Sequence, residues 1–495
     1  MKLKIKNIDI SSGGKFIAVL HHSDAQKMDI HSADRIKISK GDSIETVSVN
    51  IAQNGDTVKE GAIGLFSEVG KALNLKDNEI VTISLARKPL SIEYIRRKLD
   101  GGKLGKKEID QIIWDISHNK LSDIELTYFV AACYSNTMTM NETVLLTKAI
   151  AAQGQILSWN KKPILDKHCI GGIPGNRTTM ILVPLMAAAG YYIPKTSSRS
   201  ITSPAGTADT MEALACVTFS IEDMKRIVKK SKGCIVWGGA LNLAPADDKI
   251  IHVEKPLDID AESQLLASIM AKKYSVSSSH ILIDIPLGKD AKVKTRHEAQ
   301  HLKKQFMIIG KKLGKKIKVL LTNGSQPIGN GIGPSLEARD VIWLLKRDPR
   351  RPLDLERKCI MMASEMFSMV GVKDGAKKAQ ELLDSGAAYR KMEEIIKLQL
   401  GKEIPAEDIL LGKFTFDVLS SKNSKVKDID NIIISKLARI AGAPLNKGSG
   451  LYLHKHIGDK VKKGERLFTV YSQSKEKLEY ALDLNRQHPA YILNS

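Results

Sequence analysis

Hydrophobic positions along the chain change period three times, and each change predicts a change of architecture. In the first 85 residues they alternate with polar ones, as in Arg35-Ile36-Lys37-Ile38-Ser39 and Glu79-Ile80-Val81-Thr82-Ile83-Ser84, the period of a half-buried strand. Residues 18–39 align without gaps on residues 63–84. Each copy reads as a strand, a short helix ending near an apolar pair (Met28 and Ile30; Leu73 and Leu75) and an alternating strand. Two such copies predict a small pseudo-symmetric β-barrel in which each half covers the other.

From Ser91 to about Trp159 the period becomes helical. Ile92, Ile95 and Leu99 form one stripe and Ile109, Ile112, Ile113 and Ile116 another, followed by helices over Leu126 to Tyr134 and Val144 to Ala152. After Pro163, short apolar strands (Cys234 to Trp237, His280 to Ile285, Lys318 to Leu321) alternate with longer helices such as Thr295 to Leu313. That alternation predicts a mostly parallel sheet wrapped by helices. Beyond Gly412, strands at Gly450 to His454 and Glu465 to Val470 flank a turn at 458–464. The expected architecture is therefore multidomain α/β. A barrel-like segment spans 1–88, an all-α domain 89–160 (joined by part of 255–280), an α/β phosphate-binding domain 161–411 and an α+β domain 412–495.

Composition narrows the function classes. The 495 residues are 43% hydrophobic and 26% charged, ordinary values for a globular enzyme. The start alternates charge and apolar side chains and does not read as a signal peptide; Met180 to Ala189, the longest apolar run, is too short to span a bilayer. Five scattered cysteines without a C-x-x-C pair argue against a disulfide framework and a zinc site. The expectation is a cytoplasmic protein without a membrane partner. The net charge of +21 raises a nucleic-acid reading, but aromatic residues are 5% and no basic stretch carries interleaved stacking rings. Charge spread over solvated helix faces fits better, with a field that steers small anions inward.

Three clusters carry candidate chemistry. The first is Asp166-Lys167-His168-Cys169-Ile170-Gly171-Gly172-Ile173-Pro174-Gly175-Asn176-Arg177-Thr178-Thr179, which leads into an apolar helix. Glycines let a backbone approach an anion, and a helix start offers N–H groups. An ordinary turn before a buried helix reads equally well from this loop alone. The second, Lys195 to Thr207, holds seven hydroxyls and two cations in thirteen residues and ends near Asp209, a candidate helix N-cap. Arg199 among short hydroxyls suits an anion, although such a loop is also compatible with simple solvation. The third is a helix from about Asp260 to Lys273, where Ser268 and Lys272 share a face and Asp260 lies near it, or serves as an N-cap. The glycine-rich 323–334 stretch reads as a lid or hinge, or else as a long turn.

The first cluster resembles the D-K-H-x-x-G-G signature of the thymidine phosphorylase family. The second resembles its K-T-S-S-R-x-I-T-S-x-A-G-T-A-D-T-M-E segment, and the whole chain is similar to the family's long branch, the archaeal AMP phosphorylases. The resemblance implies a nucleotide or nucleoside site between an all-α and an α/β domain, using inorganic phosphate and no metal or organic cofactor. By motif, Lys167, Thr179, Ser197 and Thr207 would contact phosphate, with His168 beside them. Gly172, Ser198, Arg199, Ser200, Ile201, Thr202, Ser203, Thr207, Ser268, Lys272 and Lys292 would hold the nucleotide, and Asp260 would give a proton to the leaving base. The implied reaction converts AMP and phosphate to base and ribose 1,5-bisphosphate in a homo-oligomer, dimer or larger.

Two departures matter. Cys169 stands where short thymidine phosphorylases place a phosphate-binding serine, and Glu254 where they hold a pyrimidine-contacting arginine. Losing that cation argues for a base other than thymine. Thymidine phosphorolysis is the nearest rival. A phosphoribosyltransferase would require an acidic pair for Mg²⁺ that the sequence does not offer, and a nucleic-acid binder is the rival from another class.

Overall fold

A computed structural model describes every residue except 201, 202, 255, 257–260, 403, 404 and 495. The chain divides into two compact units, one of residues 1–149 and 246–262, the other of residues 150–245 and 263–495.

In the first unit, β1 (Lys2–Ile8), β2 (Ile17–His21), β3 (Arg35–Lys40), β4 (Ser43–Ala52), β5 (Ala62–Phe66) and β6 (Ile80–Leu85) close into a barrel of order β1-β5-β2-β4-β3-β6. Short helices α1 (His22–Lys27) and α2 (Ser67–Ala72) follow β2 and β5, so the strand–helix–strand repeat read in the sequence is present in three dimensions. The symmetry extends further. Strand β2 pairs in parallel with β4 and β5 with β1, while β2 pairs antiparallel with β5 and β3 with β6. Alternate residues Leu3, Ile5, Leu20, Ile36, Ile38, Ile63, Leu65, Val81 and Ile83 fill the interior. Each fully buried aliphatic side chain contributes about 1.5–3 kcal/mol, which is why neither half would hold its shape alone.

Four helices follow: α3 (Ser91–Leu99), α4 (Lys106–Ser117), α5 (Asp123–Ser135) and α6 (Met140–Ala152). Ser122 and Glu125 form a reciprocal capping box at the start of α5. Glu125 also receives both terminal nitrogens of Arg35 from the barrel. Within the helices, Lys98 is 3.3 Å from Glu142, both buried. Burial alone would raise the Glu142 carboxyl. The Leu104 and Thr139 backbone N–H groups, the Thr139 hydroxyl and Lys98 together hold it below the ordinary range.

In the second unit, β7 (Leu165–Cys169) precedes α7 (Thr178–Ala188), and β8 (Ile193–Ser197) precedes α8 (Thr207–Met211) and α9 (Ile221–Ser231). Strand β9 (Gly233–Trp237) comes next; α10 (Pro245–Glu254) belongs to the first unit apart from its first residue, and α11 (Glu262–Ser275) to the second apart from its first. Then come β10 (His280–Leu287), α12 (Arg296–Lys312) and β11 (Lys316–Asn323). All pairings are parallel: β11-β10-β7 form one sheet and β8-β9 another, linked by a bridge from Ile164 to Tyr192. Buried Gln399 completes the edge of β9. Its amide oxygen accepts from the Ile235 N–H, and its nitrogen donates to the Ile235 and Cys216 carbonyls. Helix α7 is buried on every side, which accounts for its lack of a polar face.

A short β12 (Gly331–Ile332) leads into α13 (Pro334–Leu345), α14 (Leu353–Met369), α15 (Gly375–Asp384) and α16 (Ala387–Leu398). The chain ends in β13 (Phe414–Leu419), β14 (Ser424–Ile429), α17 (Asn431–Ile440), β15 (Gly450–Leu453), β16 (Lys460–Val461), β17 (Arg466–Ser472), α18 (Lys475–Gln487) and β18 (Tyr491–Leu493). The C-terminal sheet has the order β12-β15-β17-β13, so it recruits a strand from the glycine-rich stretch. Of the two readings open for that stretch, a lid or hinge and a long turn, the hydrogen bonds favour the turn: the Asn330 and Gly331 N–H groups bond to buried Asp340 and the Gly329 N–H to Asp354. Among the described residues no helix is long and apolar enough to cross a membrane.

Glu142→Ala should cost about 3–5 kcal/mol in urea denaturation, because it leaves Lys98 buried without a counter-charge. The wild-type contribution is present above the ordinary carboxyl range and lost on acidification, since the folded value lies below the unfolded one. The variant should accordingly show a flatter acid limb.

Candidate functional site

Open parallel sheets present their chemistry at the carboxyl ends of the strands, where loops leave for the helices. Here β7 runs out into 170–177 and β8 into 198–206, so the first two sequence clusters lie at the same edge of linked sheets. Glycine is required at two points of the first loop. Gly172 has φ +93° and its Cβ would lie 2.6 Å from the Lys292 nitrogen; Gly175 has φ +71° and would meet the Ile328 carbonyl at 2.2 Å. The first approach brings the Lys292 backbone against the loop, with the Lys292 side chain exposed.

Successive side chains of a strand face opposite ways, and β7 uses both. On one face, fully buried Asp166 lies 2.9 Å from Lys273 and 3.7 Å from Lys195 and accepts the Ser278 hydroxyl at 3.0 Å. Burial pushes Asp166 up, but the two lysines and the hydroxyl outweigh it and leave the carboxyl low. His168 lies on this face too. Burial and then Lys273, Lys195, Lys167 and Lys272 drive its imidazole well below the ordinary histidine value, so it is neutral at pH 7.

On the opposite face, buried Lys167 donates to the Thr178 hydroxyl at 2.7 Å, at the start of α7. Asp284 of β10 is 3.1 Å from Lys358, accepts from Thr322 at 2.6 Å and from the Asn176 amide at 3.4 Å. Asn176 also donates to the Cys169 sulfur at 3.2 Å, and burial raises that thiol, keeping it neutral. Thr179 is buried one residue into α7.

The two loops are tied by Arg177. Its guanidinium pairs with buried Glu337, donates to the Ala205 carbonyl at 2.7 Å and reaches the Thr207 hydroxyl at 3.4 Å. Glu337 further accepts from Thr210 at 3.0 Å and the Gly333 N–H at 3.1 Å. Gly206 closes the second loop, since a Cβ there would lie 2.6 Å from the Ser198 carbonyl oxygen. Asp209 is not the N-cap expected from sequence. Gly206 holds that position, and Asp209 in the first turn accepts the Gly206 and Ser200 N–H groups at 2.8 and 2.7 Å.

Arg199 also differs from its expected place as part of an open anion cradle. Both its terminal nitrogens bond Glu212, at 2.7 and 2.6 Å, and its guanidinium lies over Trp237 at 4.9 Å. That bond, with help from Lys447, holds Glu212 down to about 2. The Ser200 hydroxyl turns inward to the Ser203 carbonyl, and the Ser203 hydroxyl to the Ala205 carbonyl. Ser197 and Thr207 are half-buried at the two ends of the loop, and Ser198 is exposed. Ile201 and Thr202 lie outside the described residues, as does Asp260.

Helix α11 begins at Glu262, two residues beyond the expected start. Ser268 and Lys272 are half-buried on one stripe, while Lys273 turns inward to Asp166. The sequence reading therefore missed Lys273, Asp166, Arg177, Asp284, Glu337 and Lys358 as members of the framework. Asp166 and Arg177 stand inside the quoted motif, and Asp284 interrupts the apolar run His280 to Leu287, which is a legible anomaly. Glu337 and Lys358 sit in helical patterns where nothing local distinguishes them. Among the described residues no group of His, Cys, Asp and Glu is placed to hold a metal ion.

Arg177→Met should lose about 3–5 kcal/mol, because it strands the Glu337 carboxylate in the core. Adding Glu337→Gln should recover much of that loss. Denaturation of both single variants and the double variant measures the coupling; simple additivity would contradict the bridge.

Comparison with known proteins identifies the domains. Residues 92–154 match a family described as glycosyl transferase family, helical bundle domain, and residues 161–389 match glycosyl transferase family, a/b domain. Residues 425–490 match the pyrimidine nucleoside phosphorylase C-terminal domain. AMP phosphorylase from Pyrococcus furiosus is 45% identical over 98% of this chain and 97% of its own. A putative thymidine phosphorylase from Legionella pneumophila is 42% identical over 93% and 88%. Anthranilate phosphoribosyltransferase from Thermus thermophilus superposes with a TM-score of 0.52 at 16% identity, covering 62% of this chain and 99% of that one, a likeness of fold alone. By full-length identity and by three matching domains in order, the chain belongs to the family of AMP and thymidine phosphorylases.

Proposed function

We propose that the chain catalyses phosphorolysis of the N-glycosidic bond of nucleoside 5′-monophosphates, AMP foremost, to free base and ribose 1,5-bisphosphate. One observation carries the reading: Arg177 ties together, at the strand ends, the two loops whose residues suit anion binding. Relatives called AMP phosphorylase, matched from end to end, support the substrate. So does Glu254, a carboxylate where the resemblance to thymidine phosphorylases implies a cation.

In this reading Lys167, Thr179, Ser197 and Thr207 receive inorganic phosphate, with the start of α7 behind it. A phosphate oxygen forms the new bond to C1′ as the C1′–N bond breaks, and the electron pair leaves with the base. Asp260 gives the proton that the base nitrogen takes up. His168, being neutral, donates one ring N–H without adding a charge that would hold the product. Gly172, Ser198 to Ser203, Thr207, Ser268, Lys272 and Lys292 enclose the nucleotide. Arg199, engaged by Glu212, orients its loop. No metal or organic cofactor enters the steps. Residues 1–88 serve assembly of a cytoplasmic homo-oligomer and leave the chemistry to 161–411, with 412–495 as a supporting α+β domain.

The 5′-phosphate is bound away from the reacting carbon, so its binding energy positions the ribose for attack. Adenosine and thymidine should then fall far below AMP in kcat as well as in kcat/KM. Asp260→Asn should abolish base release while nucleotide affinity, measured by calorimetry, stays close to wild type. Comparable kcat/KM for thymidine and AMP, or a fully active Asp260→Asn variant, would overturn the assignment.

A further inference from the structure

Each face of β7 carries a buried carboxylate with two buried lysines in its field. On one face Asp284 lies 3.1 Å from Lys358 and interacts with Lys167. On the other Asp166 lies between Lys273 at 2.9 Å and Lys195 at 3.7 Å. One carboxylate can balance one ammonium, so each face holds one lysine in excess. Burial draws Lys167 down and Lys195 down to about 7, which makes the extra lysine fully charged only where an anion stabilises it. Lys167 accounts for the first as a proposed phosphate contact; the excess on the His168 face has no such assignment. Among the described residues, Asp166 is the one carboxylate within ion-pair distance of Lys195 or Lys273, which are 5% and 2% exposed.

An uncompensated charge in the interior is costly and contributes nothing to packing that an apolar chain of equal length would not. Burial and the neighbouring Lys273 pull Lys195 well below the ordinary lysine value, and Asp166 opposes them. Charge of this kind is relieved when an anion arrives. Position agrees: Lys195 shares a strand face with Ser197, two residues nearer the end of β8 where the loops meet. The charged groups bearing on His168 are Lys167 from its own strand, Lys195 from β8, and Lys272 and Lys273 from α11, and Asp166 pairs with two of these lysines.

We propose that Lys195 is a second anion-recognition lysine: as the buried lysine in excess beside Asp166, on the His168 face, it serves a phosphate-class anion bound during the reaction. The identity of that anion, inorganic phosphate or the nucleotide 5′-phosphate, rests on the phosphorylase reading; the excess of buried lysines over carboxylates does not.

Lys195→Met in the full chain tests this by calorimetry with inorganic phosphate, AMP and adenosine, alongside thermal unfolding. The variant should weaken phosphate or AMP by at least about tenfold, leave adenosine unchanged and keep or raise Tm, because Asp166 remains paired with Lys273. Lys195→Arg should restore most of the affinity. Loss confined to inorganic phosphate identifies the attacking group, and loss for AMP identifies the 5′-phosphate. Unchanged affinity for both anions overturns the proposal, as does a lowered Tm with equal loss for adenosine, which marks a structural lysine. If the wild type binds phosphate yet does not cleave AMP, the functional reading falls while this test still stands.

Discussion

Burying Asp166 and Asp284 within a parallel sheet costs several kcal/mol per charge, and only close cations with full hydrogen bonding offset it. Lys273 and Lys195 answer the first carboxylate, Lys358 and Lys167 the second, and Ser278, Thr322 and Asn176 take remaining lone pairs. These partners come from β7 itself, β8, α11 and the segment after it, β11, α14 and the loop after β7. Satisfying two carboxylates therefore ties strands and helices distant in the chain to one strand. Because lysines exceed carboxylates, the same arrangement gathers cationic side chains at the strand ends, and His168 is held neutral first by its burial and then by those lysines.

Arg177 converts that local field into a site. Among the described residues it is Arg177 that bonds from the loop after β7 to the loop after β8. With it, the hydroxyl of Thr207 and the start of α7 are held against one another from a buried anchor on Glu337. Gly172, Gly175 and Gly206 permit backbone approaches that any side chain would block. Arg199 does its work one step further out, where its guanidinium lies over the face of Trp237 and bonds Glu212.

Elements were legible in the sequence wherever one period ran long enough. The barrel repeat, the stripes of α3 and α4 and the strands β9, β10 and β11 follow from alternation or helical spacing. The glycine-rich 323–334 turn was ambiguous because glycine marks mobility and close packing alike; Asp340 and Asp354, which pin it, come later in the chain. Arg199 was legible as a cation near hydroxyls, but its partner Glu212 lies a helix away. Lys272 and Lys273 are adjacent, and only the sheet decides which one turns inward to Asp166. Long-range electrostatics of this sort leaves no local periodicity to read.

The central claim is that the chain directs inorganic phosphate to C1′ of a nucleotide. Incubating the protein with AMP and inorganic phosphate, while following adenine by chromatography and phosphorus by ³¹P NMR, addresses it most directly. The account predicts adenine release matched mole for mole by phosphate consumption, with ribose 1,5-bisphosphate as the sole sugar product and no release when phosphate is omitted. Adenine appearing without phosphate, or AMP left intact while thymidine is cleaved, would contradict it.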